Sequence, residues 1–135
     1  MRKFTDAVEA GDHSAVEALL ADNVRFTSPV AFKPYDGKAI TSAILRGVVL
    51  RVFENFRYTK TIESVDGRDH ALVFEATVDG KKINGCDFLH LDENGLIDDF
   101  VVMVRPLSAA KALSEAMGAQ FPQITAEAAQ YRLAH

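Results

Sequence analysis

The sequence predicts an α+β domain, helices first and an antiparallel sheet after them, and three observations carry that prediction. Phe4, Ala7 and Val8, then Ala15, Val16, Leu19 and Leu20, then Ile40, Ile44, Leu45 and Val48 recur at helical spacing. From Asn55 onward apolar and polar residues alternate instead, as in half-buried strands. The alternating runs are joined by Asp79-Gly80 and Asn94-Gly95, pairs suited to the left-handed backbone of tight hairpins. Strands joined this way make a meander, and segregated helices and strands make an α+β fold.

Taken in order, residues 2–21 read as two short helices, with Gly11 ending the first and Asp12 capping the second. Val24, Phe26 and Ser28 alternate with Arg25 and Thr27 as a short strand stopped by Pro29. Residues 29–37 contain two prolines and an Asp-Gly pair and read as a loop, with Phe32 and Tyr35 available to line a cavity. Lys38 to about Phe53 is helical in pattern, with Gly47 as a weak point. Phe56 to Ile62, Leu72 to Val78, Ile83 to Leu91 and Leu96 to Arg105 are the four strands of the meander. After Pro106 the chain is alanine-rich, with one helix expected from Ser108 to Met117, ended by Gly118, and a second from Gln123 to Leu133. Residues 1–107 therefore form the body, and residues 108–135 a helical tail of the same domain.

In the third strand of the meander Gly85, Asp87, Leu89 and Leu91 share one face, and Cys86, Phe88 and His90 share the other. Asp87 thus stands on the more apolar face. A carboxylate there needs hydrogen-bonding partners or keeps its proton. Such an acid marks a candidate site, with a structural acid bonded to Ser28, Tyr35 or a backbone amide as the alternative.

Composition narrows the function classes. With 135 residues and 25% charged side chains, the chain suits one folded domain. A net charge of −4 argues against non-specific nucleic-acid binding. Cys86 is the single cysteine, so no internal disulfide forms, which fits a reducing compartment. Neither a signal-peptide core nor an apolar run of membrane-spanning length is present, so a soluble cytoplasmic protein without membrane contact is expected. No His, Asp or Glu pair shows metal-ligand spacing on one face, and no metal or other cofactor is expected. The turn glycines are isolated and form no phosphate cradle.

Four stretches together carry a resemblance: Val8-Glu9-Ala10-Gly11-Asp12, Val24-Arg25-Phe26-Thr27-Ser28-Pro29, Tyr35-Asp36-Gly37-Lys38, and Asp87 through Ile97. In order and spacing the chain resembles the NTF2-like superfamily, in its SnoaL-like and ketosteroid-isomerase-like branch, over roughly residues 2–107. The resemblance implies a cone-shaped curved antiparallel β-sheet wrapped around the N-terminal helices, an apolar pocket within the cone, and homodimers through the outer sheet face. It does not imply one reaction, because this fold hosts isomerases, dehydratases, cyclases, epoxide hydrolases and binding domains.

Position by position, the ketosteroid-isomerase resemblance places Ser28 where a base acid stands, Phe4 where an oxyanion tyrosine stands, and Asp87 where the oxyanion acid stands. One of three groups is retained, which argues against steroid isomerisation by that route. Limonene-type epoxide hydrolases carry an arginine two residues before the strand acid, and here that residue is Gly85. Scytalone-type dehydratases need two pocket histidines, whereas His90 alone lies on a pocket strand, with its parity pointing away. SnoaL-type cyclases need an acid or histidine in an apolar pocket, a role open to Asp87. Phe26, Ser28, Phe32, Tyr35, Phe53, Phe56, Phe74, Phe100 and Val102 are the expected lining, although any one phenylalanine can equally be plain core. Asp98 shares parity with Phe100 and can reach the rim, or it can simply start a solvated strand. Two readings stay open: a cofactor-independent isomerase, cyclase or lyase using Asp87 as acid or base on a small apolar molecule, and a non-catalytic small-molecule-binding or dimeric interaction domain. Phe88, Val101, Met103 and Arg105 on the outer face point to a two-fold dimer.

Overall fold

The computed structural model describes residues 1–135. Helix α1 (Arg2–Ala10) ends where Gly11, at φ 69°, turns its N–H back to the carbonyls of Ala7 and Val8. Helix α2 (His13–Ala18) starts where the Asp12 carboxylate accepts from the Ala15 amide at 3.2 Å. Strand β1 (Leu20–Thr27) begins directly after it, and Tyr35–Asp36 form a two-residue edge strand, β2, within what the sequence presents as a loop. Helix α3 (Lys38–Arg46) widens into a π-helical segment, Gly47–Val52. Strands β3 (Glu54–Glu63), β4 (Asp69–Val78), β5 (Lys81–Leu91) and β6 (Ile97–Arg105) follow, and helix α4 spans Leu107–Ala134.

The six strands form one curved sheet in the order β2-β1-β6-β5-β4-β3. All neighbouring pairs are antiparallel except β1 and β6, which run parallel, with Phe26 opposite Phe100. The helices cover the inner face, and Phe4, Leu72, Phe74, Leu89, Phe100 and Ile124 are buried between the layers. Each such side chain removed from water contributes about 1.5–3 kcal/mol. No helix is long and apolar enough to cross a membrane.

One expectation is corrected here. The tail is one helix rather than two: Gly118 and Pro122 lie inside α4. Pro122 gives up only one intrahelical bond, and burial of Ala109, Ala112, Leu113, Met117, Ile124 and Ala128 against the body holds the helix through it. The carboxylate of Glu127 fixes its far half by accepting from Arg46 at 3.0 Å and from Arg51 at 2.7 Å. Gly47 lets the two helices approach, since a Cβ there would stand 3.0 Å from Ile124 Cδ1. Asp98 takes the second of the two places open to it, at the start of β6. A register irregularity between His90 and Leu91 breaks the alternation around it, with Ile97 and Phe100 both buried although three apart. Asp98 accordingly pairs with His90, Nδ1 to Oδ1 at 2.6 Å, away from the cavity. That carboxylate raises the imidazole's pKa above its ordinary value.

Candidate functional site

Between the inner sheet face and the helices lies a cavity of about 50 Å³, apolar except for Ser28, Tyr58 and Asp87. Strand β5 delivers Asp87 into it, between Gly85 and Leu89 on the inward face, with Leu72 and Val102 as cross-strand neighbours. Asp87 is 6% exposed. Its one side-chain hydrogen bond within the chain comes from Tyr58, whose hydroxyl donates to Oδ2 at 2.7 Å.

Burial is the dominant influence on this carboxyl. It pushes the pKa from 3.8 to about 7, against the hydrogen bond from Tyr58, which pulls it down. The phenol responds in the same sense: burial, then the adjacent negative charge and its hydrogen bond, hold Tyr58 well above its ordinary range. At neutral pH the pair is therefore a neutral phenol donating to a carboxyl poised between acid and base, the condition general acid–base catalysis favours.

Tyr58 is the member that the sequence reading left out. It shares strand parity with Phe56, two residues earlier, and that parity was the available signal. Its distance from Asp87 depends on the pairing of β3 with β4, where Tyr58 sits opposite Phe74, and on irregularities in that register at both sides of it.

Of the expected lining, Phe26, Ser28, Phe53, Phe56, Phe74, Phe100 and Val102 stand in the cavity wall. Phe53, Phe56, Tyr58 and Phe74 form a cluster with Phe56 stacked on Phe74 at 4.9 Å. Phe4 joins Tyr58 and Phe100 on the opposite side, at ring separations of 6.4 and 5.7 Å. The Ser28 hydroxyl accepts from the Val30 amide at 3.1 Å and so shapes the turn after β1. Two expected residues are elsewhere. Phe32 is 98% exposed, because its loop turns it to solvent. Tyr35 is held by β2 at the sheet edge opposite Phe26, and its ring packs on Phe121 of α4 at 5.9 Å instead of entering the cavity. From α4, Leu113 and Met117 complete the wall.

A family model described as a SnoaL-like domain matches residues 1–100. The chain is similar to a crystal structure of a steroid delta-isomerase from Pseudomonas aeruginosa: 38% identity, TM-score 0.85, covering 93% of this chain and 90% of that one. It is also similar to a protein with a cystatin-like fold from Silicibacter pomeroyi, at 38% identity and TM-score 0.83, over 88% and 82% of the two chains. An NTF2-like protein of unknown function from Cytophaga hutchinsonii, at 22% identity and TM-score 0.60 over 78% and 86%, shares the fold. No curated protein sequence matches. With three quarters of its length matched by the family model and its sheet and helices arranged as in these structures, the chain belongs to the SnoaL-like domain family, within the NTF2-like fold.

Proposed function

We propose that the protein binds a small, uncharged, apolar molecule carrying one hydrogen-bonding oxygen, and that Asp87 moves a proton on it without a cofactor, in an isomerisation, cyclisation or elimination. The observation that carries this reading is the Tyr58–Asp87 hydrogen bond of 2.7 Å inside an otherwise apolar cavity. The ionised carboxylate takes a proton from an acidified C–H or O–H of the ligand through Oδ1. The electron pair left behind moves into the ligand's own π system. In an isomerisation or cyclisation the same proton then returns to a second atom of the ligand on that face; in an elimination the electron pair expels a leaving group from the neighbouring carbon and the proton departs with it, so no oxidant or reductant is consumed. Tyr58 donates to Oδ2 throughout, steadying the charge when the carboxyl is ionised. The steroid delta-isomerase relative supports acid–base isomerisation as the nearest chemistry. Ser28, with its hydroxyl engaged by Val30, gives the route no second base.

The test needs no known substrate. Enolisable ketones such as cyclohexanone are incubated with the protein in D₂O, and loss of the α-proton signal is followed by NMR. Catalysed exchange that rises with pH through about 7 and disappears in Asp87→Asn is expected. A panel of such ketones exchanging no faster with the native protein than with Asp87→Asn removes Asp87 as a base.

A second reading is favoured by the absence of a second carboxyl, histidine or lysine in the cavity wall. There the protonated Asp87 only donates to a ligand oxygen, and affinity falls as pH rises through about 7. The opposite pH trends separate the two. For the outer sheet face, where Phe88 is 41% and Met103 61% exposed, we propose a second copy of the chain as the partner.

A further inference from the structure

The cavity is small for the aromatic wall that surrounds it. A dry cavity of ~150 Å³ takes one benzene, and this one has about 50 Å³. What fills the missing space is one ring. Phe74 projects from β4 toward its register partner on β5, and that partner is Gly85. A Cβ on Gly85 would run into the tip of the Phe74 ring and would lie 3.0 Å from the Met103 carbonyl oxygen. The ring therefore lies where a side chain from β5 would otherwise stand. It is held there by stacking on Phe56 and by contact with Phe53 at 5.6 Å and Tyr58 at 6.4 Å. Asp87 is two residues farther along the same face of β5.

Phe74 differs in this from the other paired phenylalanines of the wall. Phe26 faces Tyr35 and Phe100, and Phe100 faces Leu89, so each has a side chain beside it to close a gap. Phe74 faces Tyr58 on β3, but on β5 it faces only backbone. If its ring is removed, β5 has nothing at position 85 with which to refill the space, and the void opens along the strand that carries Asp87. How far a site collapses decides how much volume a truncation leaves, and collapse here is limited by the glycine.

We propose that Phe74, seated over Gly85, is the specificity-determining residue of the cavity: it sets the size of the occupant that reaches Asp87, with a single ring, entering only as the wall gives way, as the upper limit in the native site. This rests on the cavity being a ligand site, as proposed above, and names the size class it takes. Gly85 is the complementary half of the device, since only a residue without Cβ accommodates the ring.

The experiment compares phenol with 2-naphthol, whose own fluorescence reports its binding, on the native protein, Phe74→Ala and the milder Phe74→Leu. Circular dichroism establishes that each variant is folded. The affinity ratio of 2-naphthol to phenol is expected to rise at least tenfold in Phe74→Ala and by a smaller factor in Phe74→Leu. An unchanged ratio in both variants overturns the proposal, as does a native protein that takes 2-naphthol as tightly as phenol. Failure of either ring to bind a folded Phe74→Ala protein overturns it too, because an enlarged apolar cavity has to accept a ring. Asp87→Asn in the Phe74→Ala background keeps the altered ratio while removing the dependence on pH. A native protein whose phenol binding ignores pH counts against Asp87 alone, so the two readings fail separately.

Discussion

Replacing Asp87 by Asn should make the protein more stable at alkaline pH, by an amount that follows from the carboxyl's burial. In the folded chain Asp87 titrates at about 7 instead of 3.8. Folding thus favours the protonated acid, and the stability this group permits is complete below about pH 4 and lost as pH rises to 7. Raising a carboxyl by that much corresponds to about 4 kcal/mol at alkaline pH, accrued at about 1.4 kcal/mol per pH unit. Asparagine has no charge to bury, and its carbonyl still accepts from Tyr58. Its unpartnered amide adds a constant penalty of about 1–3 kcal/mol, which does not change with pH. The decisive quantity is therefore the difference between variant and native stabilities as a function of pH. Between pH 5 and pH 8 it should move by about 3 kcal/mol in favour of Asp87→Asn. Urea unfolding at half-unit pH intervals measures this. With m near 2 kcal/mol/M, the midpoints should separate by about 1.5 M more at pH 8 than at pH 5. Groups elsewhere titrate alike in both proteins and cancel. Stability curves that stay parallel from pH 5 to 8 would refute the claim that a buried, proton-holding acid lies at the centre of the site.

Three further outcomes follow from the same contacts. Tyr58→Phe removes the donor that lowers the Asp87 pKa, and a hydrogen bond to a charged group contributes about 1.5–3 kcal/mol. Asp87 should titrate about one to two pH units higher, read from the carboxyl carbon shift by NMR, and an unmoved titration would dismiss the Tyr58 contact. Gly85→Ala should destabilise by about 1–3 kcal/mol through overpacking against Phe74, with most of that penalty absent in a Phe74→Ala background; equal penalties in both backgrounds would show that the two positions do not compete for space. Phe88→Asp should yield a soluble monomer or an insoluble protein, and a dimer of unchanged size on a sizing column would exclude the outer face as the interface.

Much of the fold was legible because its signals are local. Asp79-Gly80 and Asn94-Gly95 mark hairpins whatever surrounds them, and both glycines take the positive φ those turns require. Gly11 and Asp12 likewise end and start helices through contacts within one turn of chain. Gly118 misled for the converse reason: it is a local stop signal overridden by packing, since α4 is held by side chains far away in sequence. Asp87 was legible from strand parity alone. Its partner was not, because the meeting of Tyr58 with Asp87 depends on two strand registers across β4, and a single sequence does not display registers. Asp98 shows the limit of parity itself, which one irregular residue reverses. Tyr35 and Phe32 show the limit of composition: an aromatic loop next to a cavity has several surfaces to meet, and here one ring meets Phe121 and the other meets solvent.

The parallel pairing of β1 with β6 has a consequence for how the chain assembles. Strands β3 to β6 are joined by short turns and can pair as each is completed, so Tyr58, Phe74 and Asp87 come together early and locally. β1 has to wait. Its partner is separated from it by a loop of roughly 70 residues, and bringing such ends together is entropically slow. Phe26 and Ser28 therefore reach the cavity only when the two ends of the chain's body meet. Until then the half-built meander presents its apolar inner face, with an acid at its middle, to solvent. The acid's readiness to hold or shed its proton depends on the arrival of the last strands and of α4. The proton affinity of Asp87 and completion of the fold are, in this protein, set by the same event.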